Sequence, residues 1–260
     1  MLKTKIAKVD VSTGKILKTT DYVAEEKPLH IFLNKTHYAT IFCSPSNLKE
    51  LAVGHVLTEG IVKSIDEIEQ IRLKEGGVCN VKLKPGVDLE KRLKLFRPFS
   101  RLILSACGSN APYHFSGKLP RIKSDLHVTA QVIHDSVSRL NLVAETFRKT
   151  GGVHVAAIYQ ANGELVAFAE DIGRHNAVDK VIGTCALNRT DFSQRFLALS
   201  GRLTGDIVFK AARIGIPIVA SLAAAIDSGI TIAEDAHLTL IGFARGKRMN
   251  VYSFPERILS

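Results

Sequence analysis

The chain has 260 residues, 46% of them hydrophobic and 23% charged, with a formal net charge of +10. That length and composition give a globular protein of one large or two moderate domains, and exclude disordered, collagen-like and disulfide-rich classes. No apolar run reaches membrane-span length and Met1–Lys15 lacks an apolar signal core, so the expectation is a soluble cytoplasmic protein.

In chain order, Ile6–Val11 and the run from Ile16 read as strands around Thr13-Gly14. Leu29–Leu33 and Tyr38–Cys43 form a second hairpin about Asn34-Lys35. Ser46 or Asn47 can cap a helix through Leu57 whose apolar face carries Leu48, Leu51, Ala52, His55 and Val56. A histidine on such a face reads as a hydrogen-bonded core residue. Ile68–Leu73 and Val78–Leu83 are strands around Gly76-Gly77, and Arg92–Phe96 is a brief helix. Seven Lys/Arg lie between Lys82 and Arg101 against Asp88 and Glu90 alone, and this basic stretch leads to Cys107 in the loop Ser105–Pro112. A domain boundary falls in the polar segment Ser116–Asp125, dividing the chain at 124/125. Thr129 then caps a long helix from Ala130 to about Lys149, closed by Gly151.

Val153–Tyr159 and Glu164–Ala169 are strands joined at Asn162-Gly163, a strong hairpin signal. The returning strand ends in a polar cluster, Glu170, Asp171, Gly173, Arg174, His175 and Asn176, followed by Asp179 and Lys180 on a helix over 174–187. A strand leading through a polar turn into a helix holds reactive groups on a rigid frame, and an ordinary capped helix start would use the same residues. Strands Phe196–Leu199, Pro217–Ala220 and Leu238–Phe243 then alternate with helices Thr204–Ile214 and Asp227–Ala236, and Met249–Ser253 is the last strand. Such alternation predicts an α/β sheet with parallel pairs and helices on both faces.

The four cysteines are widely spaced with no CxxC pair, so no structural zinc site is expected. A P-loop and a Rossmann fingerprint are excluded: the Gly-Lys pairs lack the upstream glycine, and no G-x-G occurs. Cys107 is the nucleophile candidate, because positive potential from the preceding basic stretch favours the thiolate. Phe243, Ala244, Arg245, Gly246, Lys247 and Arg248 set three cations around a glycine at a strand end, which suits a pyrophosphate as well as it suits a solvated turn. Gly201 and Arg202, ahead of the helix opened by Thr204, form a second anion-ready point. The net charge leaves an RNA-binding module open, although interleaved aromatics are missing. A cysteine hydrolase pairing Cys107 with His175 or His114 also stays open.

The segments TGGVH and EDIGRHNAVDKVIG, with LAVGHVLTEGIV at 51–62, SGRLTGDIVFKAARIGIPIVAS at 200–221 and GFARGKRMNVYSFPERI at 242–258, resemble the formate dehydrogenase accessory proteins of the FdhD/NarQ family. The resemblance implies a two-domain α/β protein: a smaller mixed α+β N-terminal domain, 1–124, and a cytidine-deaminase-like α/β/α domain, 125–260. Deaminase chemistry itself is excluded, since His154 is followed by Val and Ala and no P-C-x-x-C exists. The resemblance further implies a sulfur carrier for formate dehydrogenase, loaded on Cys107 as a persulfide by a cysteine desulfurase. Its acceptor would be the molybdenum (or tungsten) cofactor, bis-molybdopterin guanine dinucleotide, bound as substrate through the 243–248 segment and mimicked by GDP. Gly173, Arg174, His175 and Asn176 would face the same crevice, His175 and Asn176 touching cofactor while Asp179 holds Arg174 or Lys180. A homodimer is compatible, and neither membrane nor nucleic acid is expected as a partner. Two departures stand out: Asn110 replaces the second loop cysteine, and 221–228 lacks the SAPTS-like run, leaving Asp227 or Ser228 to cap its helix.

Overall fold

The computed structural model describes residues 1–96, 101–103, 119 and 121–260. The N-terminal hairpin pairs β1 (Leu2–Val9) with β2 (Ile16–Val23) as a separate two-stranded sheet, with Leu2 opposite Val23 and Val9 opposite Ile16. β3 (Lys27–Leu33), β4 (Thr36–Cys43), β5 (Ile68–Lys74), β6 (Val78–Leu83) and β7 (Arg101–Ile103) form a five-stranded sheet in the order β5-β6-β3-β4-β7. Leu29, Ile31, Leu33, Ile41 and Val81 turn one face of it toward α1 (Leu48–Thr58), with Leu93 of α2 (Leu89–Phe96) at the margin.

α1 is buried all round from Leu51 to Thr58, not on one stripe as its pattern predicts. It lies between the five-stranded sheet and α6 (Arg174–Leu187). The helices touch backbone to backbone: a Cβ on Gly54 would stand 1.7 Å from the Asp179 carbonyl oxygen, and one on Gly183 1.9 Å from that of Glu50. Only glycine fits at those two positions. Asn47 occupies the helix start in the left-handed conformation (φ 52°), and its side chain makes no capping bond.

The second sheet has six strands, ordered β10-β9-β11-β12-β13-β14: β9 (His154–Gln160), β10 (Leu165–Asp171), β11 (Arg195–Leu199), β12 (Ile218–Ser221), β13 (Thr239–Arg245) and β14 (Arg248–Ser253). Strand residues alternate between two cores, as the pleat requires. Leu197, Leu199, Val219 and Leu240 meet Val178, Val181 and Ile182 of α6, together with α7 (Gly205–Ile214) and α8 (Asp227–Ala236). Phe196, Ala198, Ile218, Ala220 and Ile241 face the opposite layer, where Ile133 and Val137 of α3 (Ala130–Ser138) pack. The result is an α/β/α sandwich, closed at the side by β8 (Val128–Thr129) pairing in parallel with β15 (Ile258–Leu259).

The long helix expected over 130–149 is instead three: α3, then α4 (Leu140–Val143) and α5 (Glu145–Thr150). The chain turns at Arg139 and breaks at Ala144 (φ −92°, ψ 88°), where the amides of Thr146 and Phe147 donate to the Glu170 carboxylate at 3.1 and 2.7 Å. A carboxylate from the neighbouring strand thus takes N–H groups that a continuous helix would use internally. At the other end the Thr129 hydroxyl accepts from the Val132 amide at 3.3 Å, as expected. Thr129→Ala should therefore cost about 1 kcal/mol, read as a lowered urea midpoint with an unchanged slope.

Candidate functional site

β10 is antiparallel to β9, β9 is antiparallel to β11, and β11, β12 and β13 run parallel. Consequently the C-terminal ends of β10, β11, β12 and β13 all open on one edge of the six-stranded sheet, where ligands of open α/β sheets bind. The turns leaving those ends carry Gly173–Asn176, Gly201-Arg202, the 222–226 segment and Gly246-Lys247. Hydrogen bonds stitch neighbouring turns together. The Ser221 hydroxyl donates to the Gly201 carbonyl at 2.6 Å and accepts from the Ala223 amide at 3.0 Å. The Leu203 amide donates to Ala224 and the Phe243 amide to Ala223, at 3.0 and 2.9 Å. A Cβ on Gly201 would be 3.0 Å from Cβ of Arg174, so the arginine lies across that glycine.

The two expected ligand segments thus share one edge, with β9, β11 and β12 between their strands. At the usual strand spacing that separation is about 19 Å, a span for a long ligand and not for a lone phosphate. The residues of 243–248 divide. Arg245, Lys247 and Arg248 are exposed around Gly246 (φ 66°), while Ala244 is fully buried and offers a ligand only its backbone. Phe243 (φ 51°) sits in a register break between Gly242 and Arg245, with the Arg245 guanidinium 5.3 Å from its ring centroid.

Of the second cluster, Arg174 and His175 are at the edge, and Asn176 is not. The Asn176 amide nitrogen donates to the Phe42 carbonyl and to Asp171, each at 2.9 Å, and the residue is buried. It joins the two sheets; both of its donor bonds are already taken. His175 is tied to the Asp206 carboxylate, which also accepts from the Thr204 hydroxyl and, at 3.0 Å, from the Ile207 amide. Burial pushes the Asp206 carboxyl up, but the His175 imidazole and these donors outweigh it and hold it well below the usual range. Asp206 therefore fills the N-terminal turn of α7, and the Gly205 amide donates to Ser228 at 3.1 Å. The anion-ready helix end expected after Gly201 and Arg202 is internally satisfied, and Ser228 serves α7 rather than capping α8. Gly201 itself is buried, leaving the exposed Arg202 side chain as that turn's contribution.

Asp179 does not hold Arg174 or Lys180. Lys180 Nζ lies 2.7 Å from Asp171 and donates to the Ser44 carbonyl at 2.9 Å, wholly buried. Asp179 instead accepts from Lys210 at 3.0 Å, from the Thr58 hydroxyl at 2.7 Å and from His55 Nδ1 at 3.2 Å. His55 is thus the bonded core histidine its helix position indicates.

Three site residues escaped the sequence reading: His154, Ser200 and Asp206. The Ser200 hydroxyl accepts from the Val155 amide at 3.0 Å and lies 3.4 Å from His154 Nδ1. Burial first, then the nearby Arg174 and Arg202 guanidiniums, lower the His154 pKa, with Asp171 opposing them. For the first two, position at the start of β9 and just past the end of β11 was the available signal.

Cys107 and His114 lie outside the described residues, as does Asn110. Ile103, the last described residue before them, pairs with Ile41 on parallel β4. Three residues beyond Ile41, the Ser44 amide donates to Asp171 at 3.0 Å and the Ile172 amide donates to the Ser44 hydroxyl at 3.2 Å. The other cysteines are buried, and burial pushes the thiols of Cys43, Cys79 and Cys185 up to about 12, 11 and 11 respectively. Among the described residues no cluster of three His, Cys, Asp or Glu could hold a metal ion, and no helix is long and apolar enough to cross a membrane.

A sequence model of the FdhD/NarQ family matches residues 24–259. The chain is 38% identical to the sulfur carrier protein FdhD of Sulfolobus acidocaldarius, covering 98% of each. It is 35% identical to that of Staphylococcus aureus, over 95% of this chain and 92% of the other. The crystal structure of a proposed formate dehydrogenase accessory protein from Desulfotalea psychrophila aligns with TM-score 0.79 and 28% identity, covering 99% of each chain.

Proposed function

The chain belongs to the FdhD/NarQ family, and on that premise we propose that it carries sulfur to the cofactor of a formate dehydrogenase. Cys107 takes sulfur from a cysteine desulfurase: its thiolate attacks the outer sulfur of the donor persulfide, the donor S–S bond breaks and the donor leaves as thiolate. The acceptor is bis-molybdopterin guanine dinucleotide, with molybdenum or tungsten, held along the C-terminal edge of the six-stranded sheet.

One observation carries this reading. Four strand ends open on a single sheet edge, three of them bearing Arg174, Arg202 and the trio Arg245, Lys247 and Arg248, and β4 leads into Ser44, which is bonded to Asp171 beside that edge. Cations strung along an edge suit a long ligand carrying phosphates, and β7 runs parallel to β4 toward the same place. Incubation with desulfurase and cysteine, followed by intact-mass measurement, tests the carrier role. A single sulfur adduct on the intact chain is expected; an unmodified mass under conditions that exhaust the cysteine would refute it.

The cofactor site has its own test. GDP should bind through Arg245, Lys247 and Arg248, each charge-assisted contact contributing about 1.5–3 kcal/mol, so Arg245→Ala should weaken binding about ten-fold or more. Calorimetry on an Arg245→Ala/Arg248→Ala protein that returned the parent affinity would remove these residues from the site.

A further inference from the structure

We propose that the free edge of β5, with the basic sheet face behind it, docks an extended acidic segment of a partner protein. β5 is the outer strand of the five-stranded sheet, and among the described residues it pairs only with β6. Its seven residues offer roughly 23 Å of backbone along one unpaired edge. On its β6 side the strand borders a hollow of about 670 Å³ over the sheet face, whose lining includes Lys35, Arg72, Lys74, Lys82 and Lys84. Glu69 is the one carboxylate in that lining, and it is engaged by Lys82 at 2.6 Å. The far wall is stiff: Asn34 and Lys35 both hold positive φ (47° and 74°), and the Asn34 side-chain oxygen accepts from the Leu83 amide at 2.9 Å.

The strand's alternation specifies the occupant further. Gln70, Arg72 and Lys74 share one face of β5, and Ile71 and Leu73 share the other. Ile71 packs at the margin of the core, and Leu73 is 46% exposed. A chain segment added along this edge would set alternate side chains against Arg72 and Lys74 and the intervening ones against Leu73. The matching sequence alternates acidic with apolar residues.

Two other anionic occupants fit less well. A nucleotide phosphate wants converging donors or a helix N-terminus, whereas here the lining comes from strands and turns with its cations spread along them. Single-stranded nucleic acid wants stacking platforms, and no aromatic ring lines the hollow. The place is also separate from the strand that leads toward Cys107, since β6, β3 and β4 stand between β5 and β7.

The probe is a fluorescein-labelled peptide, EVELEVE, titrated by anisotropy against the full chain. Saturable binding that falls with added salt is expected, together with about ten-fold or greater weakening by Arg72→Glu/Lys74→Glu. Both positions are exposed, and an unchanged melting temperature establishes that the variant folds. The same peptide with alternate backbone amides N-methylated should bind at least about ten-fold more weakly to the parent protein, because strand addition uses those donors. Absence of binding, or equal binding by the methylated peptide or by hexaglutamate, would overturn the proposal. So would an unchanged affinity in the double variant, or displacement of the peptide by a short oligouridylate at lower concentration.

Discussion

Cys107→Ser is expected to abolish sulfur loading from desulfurase, while serine at Cys43, Cys79 or Cys185 leaves loading intact. The nucleophile is thiolate, and the three described cysteines are poorly suited to supply it. All are buried, and burial pushes their thiols to about 11 or 12, leaving a negligible thiolate fraction at neutral pH. Their replacement should read out as packing loss, as a lowered melting temperature. With Asn110 at its position, Cys107 is the single thiol between Cys79 and Cys185 in sequence, so a persulfide there cannot be released as a disulfide with a neighbouring thiol. The terminal sulfur must pass, at the sulfur(0) level, to an outside acceptor whose own electron pair forms the new bond to it, as the S–S bond breaks and Cys107 keeps that bond's pair as thiolate. Loading should slow as salt rises, because an anionic persulfide and an acidic donor are both drawn to the basic stretch that precedes Cys107 in sequence. Intact-mass measurement decides the matter: a Cys107→Ser protein that still gains sulfur would show the carrier to be another residue.

Asp179→Asn should destabilise the protein by about 3–5 kcal/mol, and so should Lys210→Met, each leaving a buried polar partner stranded. Asp179, Lys210, His55 and Thr58 are all buried, and Lys210 also donates to Thr58 at 2.9 Å and to Glu59 at 3.2 Å. Because the groups form one network, the double variant Asp179→Asn/Lys210→Met should lose less than the sum of the single changes. Burial pushes the Asp179 carboxyl up, yet Lys210 and the hydrogen bonds from His55 and Thr58 prevail, bringing it to about 2 against an ordinary 3.8. A carboxyl lowered on folding stabilises above its unfolded pKa and loses that contribution as pH falls through the folded one. The parent's advantage over Asp179→Asn should therefore be complete above about pH 4 and shrink toward about pH 2. Urea unfolding at several pH values measures this, and a gap that stayed constant down to the acid end would contradict the ion pair.

Much of the fold is written locally. Alternating β-branched runs, Asn162-Gly163 and the 3.6-residue pattern place β9, β10 and the helices 174–187 and 227–236 where the structure has them. What the pattern cannot carry is the choice of partner across space. Asp179 and Lys180 are neighbours in sequence, but successive residues of a helix point in different directions, so one meets Lys210 and the other Asp171. The helix break at Ala144 depends on Glu170, a residue of another strand. The satisfied start of α7 depends on His175, thirty-one residues before Asp206. At the candidate site, residues presented by strand ends were legible, because strand direction alone puts Arg174 and Arg245 on one edge. Asn176 was not, since its role is set by the Phe42 carbonyl on the other sheet.

The contact of α1 with α6 at Gly54 and Gly183 bears on timescale. Two helices whose backbones touch cannot slide or swing apart without losing the buried charges clamped beside them, so the two sheets have no hinge between them. Loading and unloading of a long ligand at the sheet edge should then be paced by side chains and turns, in nanoseconds to microseconds, rather than by slower domain opening. Relaxation dispersion should find exchange, if any, in the edge turns, with the amides flanking Gly54 and Gly183 silent; concerted millisecond exchange at those helix positions would show a hinge after all.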